Sequence, residues 1–173
     1  LTELWRSPLI GEGLAYWRAA WRDGQLPSRR DIDPLTMPKA LMPHILLVDI
    51  EPGPRIGFRL TGTAVTRWMG SDFKGRYLDE IYSEPERVRY ITELYREMMD
   101  ARRPVFLAQT YVAQDRFASE VTVERLNMPL VSTDGAIDMA FVVQVRTDSD
   151  PTREVPWAEL RQATAKELTR AVI

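Results

Sequence analysis

Cysteine is absent from the 173 residues, and histidine occurs once, at His44. The first absence excludes disulfides and thiolate chemistry and permits an intracellular home. Together the two exclude a structural zinc site built from its usual ligands. With one histidine and no serine in a G-x-S-x-G elbow, a Ser-His-acid nucleophile has little support. Lysine is scarce as well: Lys39, Lys74 and Lys166 are the only lysines among 23 basic residues. The remaining positive charge is arginine, which suits bidentate anion recognition, although a bias in genome base composition accounts for it equally well. No apolar run approaches the roughly twenty residues of a membrane span. Acidic and basic residues are mixed along the chain and leave a net charge of −2 and a pI near 5.6. No long-range field then draws phosphate backbones or anionic lipid, so neither nucleic acid nor membrane is an expected partner. The chain opens at Leu1 with neither a methionine nor a signal-like apolar segment, which allows for processing or trimming; cytoplasm is the default expectation.

What is present is enough apolar material, 45% of the residues, for one well-buried core in one domain with helical extensions. The most informative stretch is residues 55–70, RIGFRLTGTAVTRWMG. Ile56, Phe58 and Leu60 alternate with Arg55, Gly57 and Arg59 and so share one face of a strand. Thr61, Gly62 and Thr63 break the alternation with hydroxyl caps and a flexible joint. Ala64, Val65, Trp68 and Met69 then follow at helical spacing until Gly70. A second strand over 45–51 precedes it, and Pro52-Gly53-Pro54 between them predicts an antiparallel hairpin.

Upstream, Ile10, Leu14, Trp17 and Trp21 make one stripe of a helix ending near Gly24. It serves either as a dimer interface or signal-transmitting cap, or as a helix packed on the back of its own sheet. Residues 26–43 hold Pro27, Pro34, Pro38 and Pro43 and predict a connector with short helical turns, Asp33-Pro34 forming a cap and first helical residue. Downstream, 83–101 predicts a long helix, opened by a Ser83/Glu86 capping box and striped by Val88, Ile91, Leu94, Tyr95, Met98 and Met99. Strands are expected over 105–113, 117–130 and 136–146, with turns at 114–116 and 132–135. The last is apolar at both parities, which makes it the best candidate for the centre of the sheet. In the middle one, Phe117, Ser119, Val121 and Val123 are odd-numbered whereas Leu126, Met128 and Leu130 continue the apolar face on even numbers, so a β-bulge is expected near Glu124-Arg125. A final helix is expected over 157–172.

The strand pair, the strand running into a short helix, and the GRYLDEIY segment at 75–82 together resemble the opening half of a PAS sensor domain. More narrowly, they resemble bacterial PAS-like proteins with a tryptophan helix, a DIDP turn and an F-R-L-T-G-T strand end. The resemblance implies an α+β fold: a five-stranded antiparallel sheet over 45–146 in the spatial order second, first, fifth, fourth, third, with helices on one face. Residues 1–44 would be an N-terminal helix and connector, and 147–173 a linker and C-terminal helix.

Other chemistry has bland readings. Asp31 and Asp33 fit a turn and an N-cap better than a cation site. Gly11-Glu12-Gly13 follows no strand and lacks the rest of a phosphate loop. Glu120 and Glu124 beside Arg125 fit the solvated face of a strand better than an acid-base pair. Within the resemblance, photoreceptor members form their adducts through cysteine, and haem sensors ligate iron through a histidine on the long helix. The chain has neither, and Met98 and Met99 belong to the apolar stripe. Non-covalent flavin or a small organic ligand remains open, so the cofactor is not assigned.

The expected function is a PAS-type sensory or regulatory module that binds a small ligand or a protein partner and performs no chemistry. The rivals are a small cone-shaped enzyme of the ketosteroid isomerase type and a structural dimeriser whose pocket its own aromatics fill. The implied pocket takes Phe58 and Leu60 from the second strand, Trp68 and Met69 from the following helix, and Tyr77, Leu78 and Ile81 as a wall. Tyr95 and Met99 form its lid, and Met139 and Phe141 its floor. This lining suits a flat or greasy ligand, with the phenols and Arg59 at its polar end. A homodimer is expected through the tryptophan helix and a weaker stripe of Trp157, Leu160, Thr164, Leu168 and Ala171.

Overall fold

The computed structural model describes residues 4–22, 24–112, 120–148, 160 and 165–173. Its α-helices are α1 (Pro8–Ala19), α2 (Thr63–Met69), α3 (Leu78–Ile81) and α4 (Pro85–Ala101), with short 3-10 turns at Arg29–Asp31 and Met42–His44 in the connector. Its strands are β1 (Ile45–Glu51), β2 (Arg55–Thr61), β3 (Val105–Val112), β4 (Glu120–Val131), β5 (Ile137–Asp148) and β6 (Ala165–Val172). All six strands join one sheet in the order β2-β1-β5-β4-β3-β6, every pair antiparallel. The first five lie in the order that the PAS resemblance implies, and α4 is inserted between β2 and β3 rather than ahead of the sheet as in a cone. Strand β5 is central. Its Ala140 and Val142 face α2, α3 and α4, on the front of the sheet. Its Met139, Phe141, Val143 and Val145 face the back.

The sixth strand corrects the expected C-terminal helix. Residues 165–172 read AKELTRAV, good helix formers, yet they pair with β3 from Ala165↔Tyr111 to Val172↔Val105. A short isolated helix is marginal in water, whereas the unpaired N–H and C=O groups along β3 offer a ready ladder. Of the stripe expected there, Leu160 is buried in the front core, Leu168 is exposed and Ala171 is half-buried. Trp157 and Thr164 lie outside the described residues, as do the turn at 114–116 and Phe117 and Ser119.

Alternation runs unbroken through Glu124 and Arg125, so the bulge expected there is absent: β4 pairs in constant register with β3 along its whole ladder and with β5 from Val121 to Leu130. The two apolar sets of β4 serve opposite faces, Val121 and Val123 the front and Leu126, Met128 and Leu130 the back. Irregularities occur elsewhere. Leu47 pairs with Leu60 but Val48 pairs with Phe58, leaving Arg59 as the extra residue. A bulge of this kind reverses the facing of the residues beyond it. Leu60 therefore leaves the face of Ile56 and Phe58 and packs on the back.

Helix α1 covers the back. Ile10, Leu14 and Trp17 are buried against β4 and β5, and the Trp17 indole donates to the Pro129 carbonyl at 2.9 Å. Gly13 allows this seating, because a Cβ there would lie 2.5 Å from a methyl of Val143. The helix ends at Ala19, before Gly24, and leaves Trp21 41% exposed. Its N-terminus is held by Glu124, whose two oxygens accept the backbone N–H groups of Arg6 at 2.6 Å and Ser7 at 2.8 Å. Glu124 is thus not on a solvated face: it is 2% exposed and accepts the two backbone donors that lead into α1, near the positive end of its dipole. In the connector, Asp33 Oδ1 accepts from Leu35 N at 2.9 Å, and Asp31 accepts the hydroxyl of Ser28 at 2.7 Å, which holds the Asp31 carboxyl below its usual range. Asp31 closes a capping box with Ser28 on the 3-10 turn Arg29–Asp31, whereas Asp33 holds only a turn, and no helix starts at Pro34. The Ser83/Glu86 capping box does not form, since α4 begins at Pro85 after Glu84 with no side-chain cap.

Candidate ligand site

The front core starts from the join between β2 and α2. Gly62 lies so close to the preceding turn that a Cβ would sit 2.4 Å from the Pro43 carbonyl oxygen, and its N–H donates to Ile45 O at 2.8 Å. This contact swings the chain off the sheet edge and carries α2 over the front. Behind it, α4 lays Leu94, Tyr95 and Met98 onto β3 and β4. Between α2, α4 and the sheet remains a cavity of about 40 Å³.

Its lining is half polar. Trp68 and Met69 reach it from α2, and Arg87, Ile91 and Leu94 from α4. From the sheet come Gln109 and Tyr111 on β3, Val123 and Arg125 on β4, and Gln144 on β5, with Tyr82 closing the side next to α3. Arg125 stands opposite Gln144 in one ladder and Leu107 in the other. Its Nε donates to Asn127 Oδ1 at 2.8 Å, and its Nη2 donates to the Tyr95 hydroxyl. Burial pushes the Tyr95 phenol up, partly offset by Arg125. Burial likewise pushes Tyr82 up to about 12, against the pull of the Arg87 guanidinium 4.8 Å above its ring. Both phenols therefore stay protonated donors at neutral pH. Tyr82 also borders two open clefts, of about 430 Å³ and 360 Å³.

The sequence-predicted pocket residues divide. Trp68 and Met69 line the cavity, and Tyr95 orients its arginine. Phe58 and Leu78 are buried in the same core but nearer the hairpin, Phe58 packing 5.8 Å from Phe73 between ring centres. Met99 is half-buried against that core, and Ile81 lines the larger open cleft. Tyr77 is at the sheet edge: Arg55 lies 3.5 Å over its ring and its hydroxyl donates to Glu51 at 2.7 Å. Leu60, Met139 and Phe141 belong to the back core and cannot reach the cavity. Leu60 is turned away by the Arg59 bulge, while Met139 and Phe141 hold the parity of β5 that faces α1. Arg59 is spent on Asp49, 2.9 Å away, so the polar end of the site is Arg125 instead.

Sequence reasoning missed Tyr82, Arg87, Gln109, Tyr111, Arg125 and Gln144. One signal was available for Arg125: it shares the odd parity of Val121 and Val123, the face that meets the helices. His44, the lone histidine, is half-buried before β1 and bonded to the Gln144 backbone, burial holding its pKa below the usual value. Among the described residues, no group of three or more potential metal ligands meets, and no helix is long and apolar enough to cross a membrane.

A cavity of about 40 Å³ holds roughly one to three waters, or a ligand of only a few non-hydrogen atoms. The tricyclic ring of a flavin does not fit it.

No curated protein matches the chain. Among solved structures it is similar to the crystal structure of a Rhodobacter sphaeroides LOV protein, with a TM-score of 0.44 and 15% identity over 83% of this chain and 72% of that one. The PAS domain family matches residues 7–143, from the residue before α1 into β5. The chain belongs to the PAS domain family.

Proposed function

We propose that this chain is a sensory or regulatory module that performs no chemistry and takes up a small polar ligand in the chamber between α2, α4 and the sheet. The carrying observation is the polar lining. Gln144 is 6% exposed, and Arg125 and two phenols join it where an ordinary core would place aliphatic side chains. Buried polar groups cost stability unless they are paired, so their retention around a cavity favours a role in recognition. Uptake of a ligand would tighten α2 and α4 onto the sheet, and output would pass through surfaces that move with them.

The small volume supports a second reading, a protein-interaction module whose chamber holds only water. Scanning fluorimetry and tryptophan emission, with a panel of neutral and charged compounds of up to about five non-hydrogen atoms, separate the two. A saturable shift for any member supports ligand uptake. A flat response across the panel leaves the interaction module.

A further inference from the structure

We propose that the chamber selects a compact planar oxyanion, of the carboxylate or nitrate class, with Arg125 as its principal anchor; this rests on the ligand reading above. Arg125 is only partly accessible, yet its hydrogen bonds run to neutral acceptors, Asn127 Oδ1 through Nε and the Tyr95 hydroxyl through Nη2. Neither aspartate nor glutamate is among the described residues that line the cavity. A partly buried guanidinium with no carboxylate partner among the described residues carries a desolvation cost that a bound anion would offset.

The remaining lining matches the same ligand. Nη1 of Arg125 makes no hydrogen bond among the described residues, which leaves one arm of the fork for a planar acceptor. Gln144, directly across the ladder, adds a carboxamide donor, and the Tyr82 hydroxyl remains protonated. Asn127 and Tyr95 hold the guanidinium from behind, so its orientation is set before a ligand arrives. A cavity of about 40 Å³ suits ions of the size of formate, nitrate or acetate and not larger acids. The chamber and its occupant are thus matched in charge, shape and size.

The test titrates the full chain with sodium acetate and with acetamide, its neutral isostere, at constant ionic strength set with sodium chloride. Melting temperature and tryptophan emission, compared with that of Trp68→Phe, are followed. Acetate is expected to give a saturable shift and acetamide none. Arg125→Met, with its fold checked by circular dichroism, should weaken the acetate response at least tenfold, and Arg30→Gln in the exposed connector should leave it intact. If Arg125→Met does not fold, Arg125→Lys decides: it keeps the charge and loses the fork, and a response as strong as that of the parent chain overturns the proposal. Equal shifts with acetate and acetamide also overturn it, while leaving ligand uptake standing. No shift with either probe or with any member of the wider panel removes both.

Discussion

The two faces of the sheet are built to different standards. The back, under α1, is an apolar layer of Ile10, Leu14, Trp17, Met128, Phe141 and their neighbours, and its buried charge, Glu124, has both oxygens occupied by backbone donors. The front, under α2 and α4, has an apolar core of similar extent but encloses Arg125, Gln144 and Asn127 and keeps a cavity beside them. Consecutive residues on one strand show the contrast: Glu124 pins a helix on the back while Arg125 points into a chamber on the front. The back is filled with apolar side chains, whereas the front retains polar groups beside an empty volume, the difference on which the proposed ligand uptake rests.

This contrast can be broken most forcefully at Trp17. Truncation to alanine removes a fully buried indole, and urea unfolding should show a loss of about 3–5 kcal/mol. Glu124→Ala comes next, since it strands two backbone donors at the start of α1. We expect about 2–3 kcal/mol by the same measurement, with the chamber response of the folded protein preserved. A loss of that response would mean that the faces are not independent.

A pH series probes the front. The Tyr82 phenol titrates near 10 when unfolded and near 12 when folded, so the native state prefers the protonated form. Its contribution is complete below pH 10 and disappears as pH rises through 12, at most about 3 kcal/mol for two units at about 1.4 kcal/mol each. Tyr82→Phe should show a shallower alkaline decline in stability. The smallest effect is expected at Gln144. Replacement by methionine, similar in volume and free of unmet donors, should change stability by less than about 1 kcal/mol while altering the chamber. A loss above about 2 kcal/mol would place Gln144 with the structural groups of the back.

Much of the fold could be read from period alone: the 45–61 hairpin, the turn of Gly62 into α2, the long α4 and the central β5 all come from alternation, proline and glycine. Facing was harder. Both parities of β5 are apolar, so the sequence did not say whether Met139 or Ala140 meets the front helices. One bulged residue, Arg59, moved Leu60 across the sheet with no local mark. In β6, helix propensity lost to an open edge that only the assembled sheet presents. The chamber was least visible, because Gln109, Arg125 and Gln144 look like ordinary solvated strand residues until α2 and α4 cover them.

Strand β6 also bears on how the chain behaves at high concentration. It carries Lys166, Glu167 and Arg170, and its pairing with β3 shifts by one residue at Leu168. Charges and an irregular edge discourage a second sheet from adding on. The strand it shields, Val105 to Tyr111, reads VFLAQTY and has neither charge nor proline. Such a segment is prone to β-aggregation when its edge is open. A chain shortened to residue 148 should therefore lose soluble yield and bind thioflavin T, while Lys166→Ile in the intact chain should move it partway in the same direction.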